Sequence, residues 1–288
     1  LNLPKISIIT PSYNQGVYLE DTIQSVIGQN YPNIEHILID GGSTDESLEV
    51  IKKYEGHFTH WQSRKDDGQS DAINQGFRHA TGDIVAWLNS DDQYLPSTLH
   101  HVAQAFVREG GLEDKIYFGN CIKLNTDTCE TKSKNMLEYH QNLNIELTDY
   151  IVQPSSFWTR KVWQQIGELD EALDFGMDWD WFIRAKRAGI PFEATNRFMS
   201  INRFHSEKKS SLGGMRRVNE LAKVYARYHN DDIKNAYLQY HQNDRYQTFR
   251  KWHRRFRLQR FTDTNRVIHS LYFKNKISYA DFLNIIRM

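Results

Sequence analysis

The apolar run Ile84–Leu88 reads as a buried strand, and it ends in Asn89, Ser90, Asp91 and Asp92. Adjacent carboxylates at a strand tip repel each other, so they either open the next helix, where the dipole favours negative charge, or hold a cation. Hard oxygen ligands of this kind suit Mg²⁺ or Mn²⁺ carried with a substrate's phosphates. Two other apolar runs also end in polar groups, "ISIIT" in Thr10 and "HILID" in Asp40. Asp40 either caps the "GGSTD" turn or hydrogen-bonds a nucleoside, and the same alternatives are open to Thr10. In "MDWDWFIR", Asp178 and Asp180 alternate with Trp179 and Trp181. A carboxylate beside aromatic rings loses solvation, which raises its pKa and makes it a better base near neutrality. The other reading of that segment is a pair of acids opening a helix whose aromatic stripe joins the core. His205, in "NRFHSEKKS", is either a packed or exposed histidine or a group near a phosphate or metal. The turn Lys65–Asp71 either presents backbone N–H groups to a phosphate or is an ordinary loop.

These residues need a frame to hold them. Strand-like runs at 6–10, 36–40, "FTHWQS" and "DIVAWL" alternate with helical periodicity, as in Leu19, Ile23, Val26 and Ile27. Ser43 and Glu46 have capping-box spacing for a helix through Tyr54. The β-α-β-α-β-α-β order predicts an α/β fold, a mostly parallel, Rossmann-like sheet with helices on both faces. Ligands of such sheets collect beyond the carboxyl ends of the strands, so Thr10, Asp40 and Asp91/Asp92 are expected to converge in one crevice. After about residue 112 the rhythm changes. "KIYFGNCIKL" begins a hairpin, "PSSFWTR" and "PFEATNRFMSINRF" are further strands, and "DFGMDWDWFIRAKRAG" is a helix ending at Gly189.

Of the 288 residues, 39% are apolar and 25% charged, ordinary values for a soluble globular chain. No run of about 18 apolar residues predicts a membrane span. The opening residues lack a secretory pattern, and the start at Leu1 suggests a trimmed upstream piece. Cys121 and Cys129 are the two cysteines, expected to be free thiols of a cytoplasmic protein, although a hairpin could bring them face to face. The net charge of zero hides a split, because from Ser211 onward there are 16 basic and 6 acidic residues. The division expected is a body over 1–210 and a basic, helical C-terminal extension over 211–288.

The run "ISIITPSYNQGVYLEDTIQSVIGQNYPNIEHILIDGGSTDES", followed by "GDIVAWLNSDDQYLP", resembles glycosyltransferase family 2 with its GT-A fold, from about Lys5 to about Ser211. The resemblance implies an inverting enzyme using a nucleotide-diphosphate sugar, with a UDP-sugar favoured, and Mn²⁺ or Mg²⁺. It assigns Asp92 to the metal, Asp91 to ribose or phosphate, Asp178 to the general base and His205 to the diphosphate and metal. Thr10 and Asp40 match positions lining the nucleoside pocket. Three departures stand out: Gly41 where many members carry a second acid, Met177 in place of Glu, and Ser90 in place of the first acid of the metal motif. The acceptor implied is a hydroxyl of a glycan or a lipid-linked glycan, as in polysaccharide and cell-envelope synthesis.

In the extension, Tyr246, Phe249, Trp252 and Phe256 share one helix face, while Arg245, Arg250, Lys251, Arg254, Arg255, Arg257 and Arg260 occupy much of the rest. That helix either packs on the body or lies on an anionic membrane surface, and no nucleic-acid motif accompanies it. Two other functions stay open at this level. A sugar nucleotidyltransferase would carry a basic, Gly-rich loop after the first strand, whereas "TPSYNQG" has no basic residue. A non-catalytic protein that binds sugar nucleotides or polyanions would release no nucleoside diphosphate.

Overall fold

The computed structural model describes residues 3–109, 111–133, 135–205, 209–255 and 263–288. Strands β1 (Ile6–Ser12), β2 (Ile34–Asp40), β3 (His60–Ser63) and β4 (Ile84–Trp87) run parallel in the spatial order β3-β2-β1-β4. β1 and β4 are buried along their whole length, which accounts for their near-continuous apolar sequence. The crossovers are helices α1 (Gly16–Ile27), α2 (Ser47–Lys53) and α3 (Gln69–His79). α3 lies tight on β1 because Gly76 has no side chain: a Cβ there would come within 2.3 Å of Ile9 Cγ2.

The second half of the sheet mixes directions. After β5 (Gln93–Tyr94) and α4 (Thr98–Phe106), β6 (Val107–Arg108) and β7 (Gly111–Leu112) make a separate short ribbon. Then come β8 (Ile116–Asn125), β9 (Thr131–Ser133), α5 (Met136–Asn142), β10 (Ser156–Thr159), α6 (Arg160–Ile166), α7 (Met177–Arg187) and β11 (Phe192–Phe204). β10 is antiparallel to both β4 and β8, while β11 is parallel to β8 and antiparallel to β5. The expected hairpin is β8 with β9. Cys121 is buried and Cys129 exposed, and no disulfide joins them.

The capping box expected at Ser43 and Glu46 does not form. α2 begins at Ser47 with no side-chain cap, because Ser43 is drawn into the preceding turn. Its hydroxyl donates to Asp40 Oδ1 at 2.5 Å and accepts the Asn14 N–H at 2.8 Å.

The C-terminal residues form α8 (Lys209–Leu212), α9 (Gly214–Tyr228), α10 (Asp231–Gln242), α11 (Asp244–Arg255), α12 (Thr264–Tyr272) and α13 (Tyr279–Ile285). They share one apolar core with the body: Tyr225, Tyr237, Phe282 and Ile285 belong to the same cluster as Trp87, Trp158 and Trp179. On α11, Tyr246 is buried and Phe249 packs against that core, whereas Trp252 stays 51% exposed. Phe256, Arg257 and Arg260 lie outside the described residues, as does the side chain of Arg254. Among the described residues, no helix is long and apolar enough to cross a membrane.

Candidate active site

The order β3-β2-β1-β4 places a topological switch between β1 and β2 on one side and β4 on the other, where such sheets open a crevice. A cavity of about 1290 Å³ lies there, and the tips of β1, β2 and β4 reach it through Ser12, Gly41 and Asn89–Asp91. The strand ends therefore converge, but not all the anticipated side chains face the opening. Thr10 is fully buried, its hydroxyl 3.0 Å from His36 Nε2. Burial pushes the His36 imidazole down to about 3, so this is a neutral contact inside the sheet. Asp40 is equally buried. Its carboxylate accepts the N–H groups of Gly42 and Ser43 and the hydroxyls of Ser43 and Ser63, so it organises the turn after β2. That turn needs a glycine at 42, where φ is +79°.

The two adjacent acids part company. Asp92 is fully buried and accepts the Arg203 backbone N–H at 3.1 Å, with the amides of Asn202 and Asn89 at 3.4 and 3.5 Å. Asp91 lines the cavity, and its Oδ2 is 3.3 Å from His205 Nε2. His205 is held by the ring of Tyr18, 4.6 Å away between centroids. Among the described residues, no group of three or more His, Cys, Asp or Glu side chains forms a metal cage. A carboxylate oxygen beside an imidazole nitrogen nevertheless fits a divalent cation that takes its remaining ligands from substrate phosphates.

The turn Lys65–Asp71 borders the same cavity, yet two of its backbone donors are already used. Asp67 N donates to Asp71 Oδ2 at 3.1 Å and Gly68 N to Asp66 Oδ1 at 3.0 Å. Asp66 folds over Gly41: a Cβ at that glycine would sit 2.8 Å from Asp66 Oδ2. Burial, with Asp71 and Asp40 nearby, raises the Asp66 carboxyl above the ordinary range. Lys209, exposed and 3.7 Å from Asp174, donates to the Gln69 side-chain oxygen of this turn at 3.3 Å.

Asp178 occupies the first turn of α7 and faces the cavity, accepting the Trp179 N–H at 2.8 Å. Burial raises its pKa, against the pull of that N–H and of Arg217 and Lys209. Asp180 has a different fate. It is fully buried and takes Arg184 at 3.0 Å, Arg227 at 2.7 Å and the Tyr228 hydroxyl at 2.7 Å, tying α7 to α9.

Several cavity residues escape a reading of the sequence. Ser12 Oγ and Gln15 Oε1 are buried and meet no partner among the described residues. Asp149 and Arg287 also line the opening, although 138 positions separate them. Gly41 facing Asp66 offered a faint clue, since a missing acid invites a substitute; nothing local marks Asp149 or Arg287.

Comparison with known proteins agrees with this architecture. The model of the glycosyl transferase family 2 matches residues 7–160. An uncharacterised glycosyltransferase of Mycobacterium tuberculosis is 29% identical over 230 residues, 77% of this chain and 86% of that one. Another, from Rickettsia felis, is 30% identical over 216 residues, 72% of this chain but 35% of the longer relative. Among solved structures, residues 1–349 of TarS from S. aureus, in complex with UDP-GlcNAc, superpose with a TM-score of 0.63 at 17% identity, covering 81% of this chain and 70% of that one. The mannosyltransferase PcManGT of Pyrobaculum calidifontis, in complex with GDP-Man and Mn²⁺, gives 0.58 at 17% identity, covering 78% and 64%. The mixed α/β architecture is that of the GT-A glycosyltransferases. The chain is a glycosyltransferase and belongs to glycosyl transferase family 2.

Proposed function

We propose that the chain transfers a sugar, with inversion, from a nucleotide-diphosphate donor to a hydroxyl of a glycan or lipid-linked acceptor. The observation that carries this reading is one cavity with two chemically distinct walls. Asp91 borders it at the strand ends and Asp178, its carboxyl raised by burial, at the start of α7. An acceptor hydroxyl must lose its proton as it attacks the anomeric carbon, and Asp178 is the group suited to take it. Attack opposite the leaving group inverts that centre.

The nucleoside of the donor belongs at the tips of β1 and β2, where Ser12 and Gly41 line the opening and Thr10 and Asp40 shape them from behind. Asp66 supplies a carboxylate beside Gly41, the position at which the family resemblance implies a second acid. Asp91, in place of the Asp92 that the resemblance assigns to the metal, would hold Mn²⁺ or Mg²⁺ with His205, because Asp92 accepts the Arg203 backbone N–H and fixes the turn next to them. When bound, the cation neutralises charge on the departing diphosphate. Lys209 adds a positive group to the same cavity. A UDP-sugar is the donor favoured, since TarS is described in complex with UDP and with UDP-GlcNAc.

The exposed Trp252, flanked by exposed Lys251 and Arg255, supports a second element of the proposal: α11 touches an anionic membrane surface.

Release of nucleoside diphosphate from UDP-GlcNAc and GDP-mannose, assayed with Mn²⁺ and with EDTA, tests the reading. Metal-dependent release supports it. Binding without any release would favour a non-catalytic sugar-nucleotide protein, and pyrophosphate formation from a nucleoside triphosphate and a sugar phosphate would favour a nucleotidyltransferase.

A further inference from the structure

Residues 143–152 cross the cavity wall as neither helix nor strand, yet helices fix them at almost every step. The Trp179 indole N–H donates to Ile145 O at 2.6 Å, and the Tyr225 hydroxyl donates to Leu147 O at 2.7 Å. The Thr148 hydroxyl donates to Asn284 O at 2.6 Å, while Asn284 Oδ1 accepts the Asn144 N–H at 3.3 Å. Asp149 N donates to Met288 Sδ at 3.0 Å. The far end of the C-terminal extension therefore braces this segment from behind, and Arg287 enters the same cavity.

What the segment presents is Asp149. Its Oδ1 is buried and has no hydrogen-bond partner among the described residues, although the side chain borders the opening shared with Asp178. A buried polar oxygen costs free energy unless a ligand or neighbour satisfies it. We propose that Asp149, braced by Asn284 and Met288, binds a hydroxyl group of a sugar ring at the point of transfer. This proposal rests on the transferase reading above.

The electrostatics agree with that role. Burial first, then the charge of Asp178, raises the Asp149 carboxyl well above the ordinary range, with Arg217, a backbone hydrogen bond from Ile151 and Lys123 pulling the other way. Tyr150 and Tyr225, which feel its charge, are themselves raised first by burial. Such a carboxyl can donate to a sugar oxygen when protonated and accept from a hydroxyl when ionised.

The sugar is either the donor's or the acceptor's, and calorimetry with kinetics separates the two. UDP, UDP-GlcNAc, GDP and GDP-mannose are titrated with Mn²⁺ into wild type, Asp149→Ala and Asn284→Ala; product is then measured on a panel of methyl hexosides. If the hydroxyl belongs to the donor, Asp149→Ala weakens the sugar nucleotide at least about tenfold and leaves the free nucleotide unchanged. If it belongs to the acceptor, both nucleotides bind as in wild type and KM for the methyl hexoside rises by a similar factor. Asn284→Ala should follow the same pattern more weakly, as expected of a positioning residue. Unchanged sugar-nucleotide affinity together with unchanged KM would overturn the proposal, as would equal weakening of free and sugar-bearing nucleotides. Failure of wild type to bind any of the four would instead overturn the donor reading on which the proposal depends.

Discussion

Asp91 Oδ2 and His205 Nε2 lie 3.3 Å apart, joining the turn after β4 to the end of β11 across 114 positions of sequence. Its neighbour Asp92 faces the opposite way, into the Arg203 backbone. The two acids should therefore fail differently when replaced. Asp91→Asn should abolish the Mn²⁺-dependent part of UDP binding in calorimetry, with little change in Tm. Asp92→Asn should lower stability by about 1–3 kcal/mol, since it weakens a buried charged acceptor. Equal Mn²⁺-dependence in wild type and Asp91→Asn would remove Asp91 from the cation site.

Asp180 offers a contrast with Asp178 on the same helix. It is enclosed by Arg184, Arg227 and Tyr228 rather than by the cavity. Asp180→Asn should cost about 1–3 kcal/mol of stability, discounted from a fully buried pair because Arg227 is half-exposed. Its donor affinity should be unchanged below the new melting transition. Chemical denaturation, followed by UDP titration, checks both.

The raised carboxyl of Asp149 makes stability depend on pH in a defined direction. Between the ordinary aspartate value of 3.8 and the raised folded value, the folded chain holds a proton that the unfolded chain has lost. This contribution is complete below 3.8 and disappears as pH rises through the folded value, so stability falls across that window. Asp149→Asn has no proton to lose. The variant should melt higher than wild type by a few degrees at the alkaline end, on the scale of about 2–4 °C per kcal/mol, and the gap should close toward pH 4. Melting curves from pH 4 to 8 measure it, and a gap that widens on acidification would contradict the assignment.

How far the sequence reveals this site follows from the range of the interactions. The strands of the first half are legible because buried parallel strands leave an apolar signature, and their polar tips announce a crevice. Which of Asp91 and Asp92 faces that crevice is not legible. β4 stops at Trp87, and the chain turns, with Asp92 N bonded to Asn89 O, so the alternation of a strand no longer sets direction. Thr10 and Asp40 read as pocket groups because of where they stand, but partners in the sheet and turn claim their side chains. Asp149 acquires its meaning only when Trp179, Tyr225 and Asn284, from three helices, fold its segment against Asp178. The extension reads as a basic tail by composition; its service to the cavity depends on its last residues, which carry no local pattern.

On α11, Trp252 is 51% exposed while Tyr246 and Phe249 are turned inward, so the packed and exposed portions of the helix can be tested separately. Trp252→Ala combined with Lys251→Gln and Arg255→Gln should reduce co-sedimentation with phosphatidylserine vesicles several-fold at low salt. Nucleoside diphosphate release should not change. Equal sedimentation of both forms would leave α11 as packing alone.

The central claim is that Asp178 takes the acceptor's proton, and Asp178→Asn addresses it with least disturbance. The replacement preserves shape and keeps an oxygen for the Trp179 N–H, but it cannot act as a base. A base contributes only in the transition state, whereas donor binding depends on the nucleoside pocket and the cation. The decisive measurement is the rate of sugar transfer in this variant beside its calorimetric affinity for the donor with Mn²⁺. Transfer lower by about 10²–10⁴-fold with donor affinity unchanged is the expected result. Transfer at the wild-type rate would contradict the account.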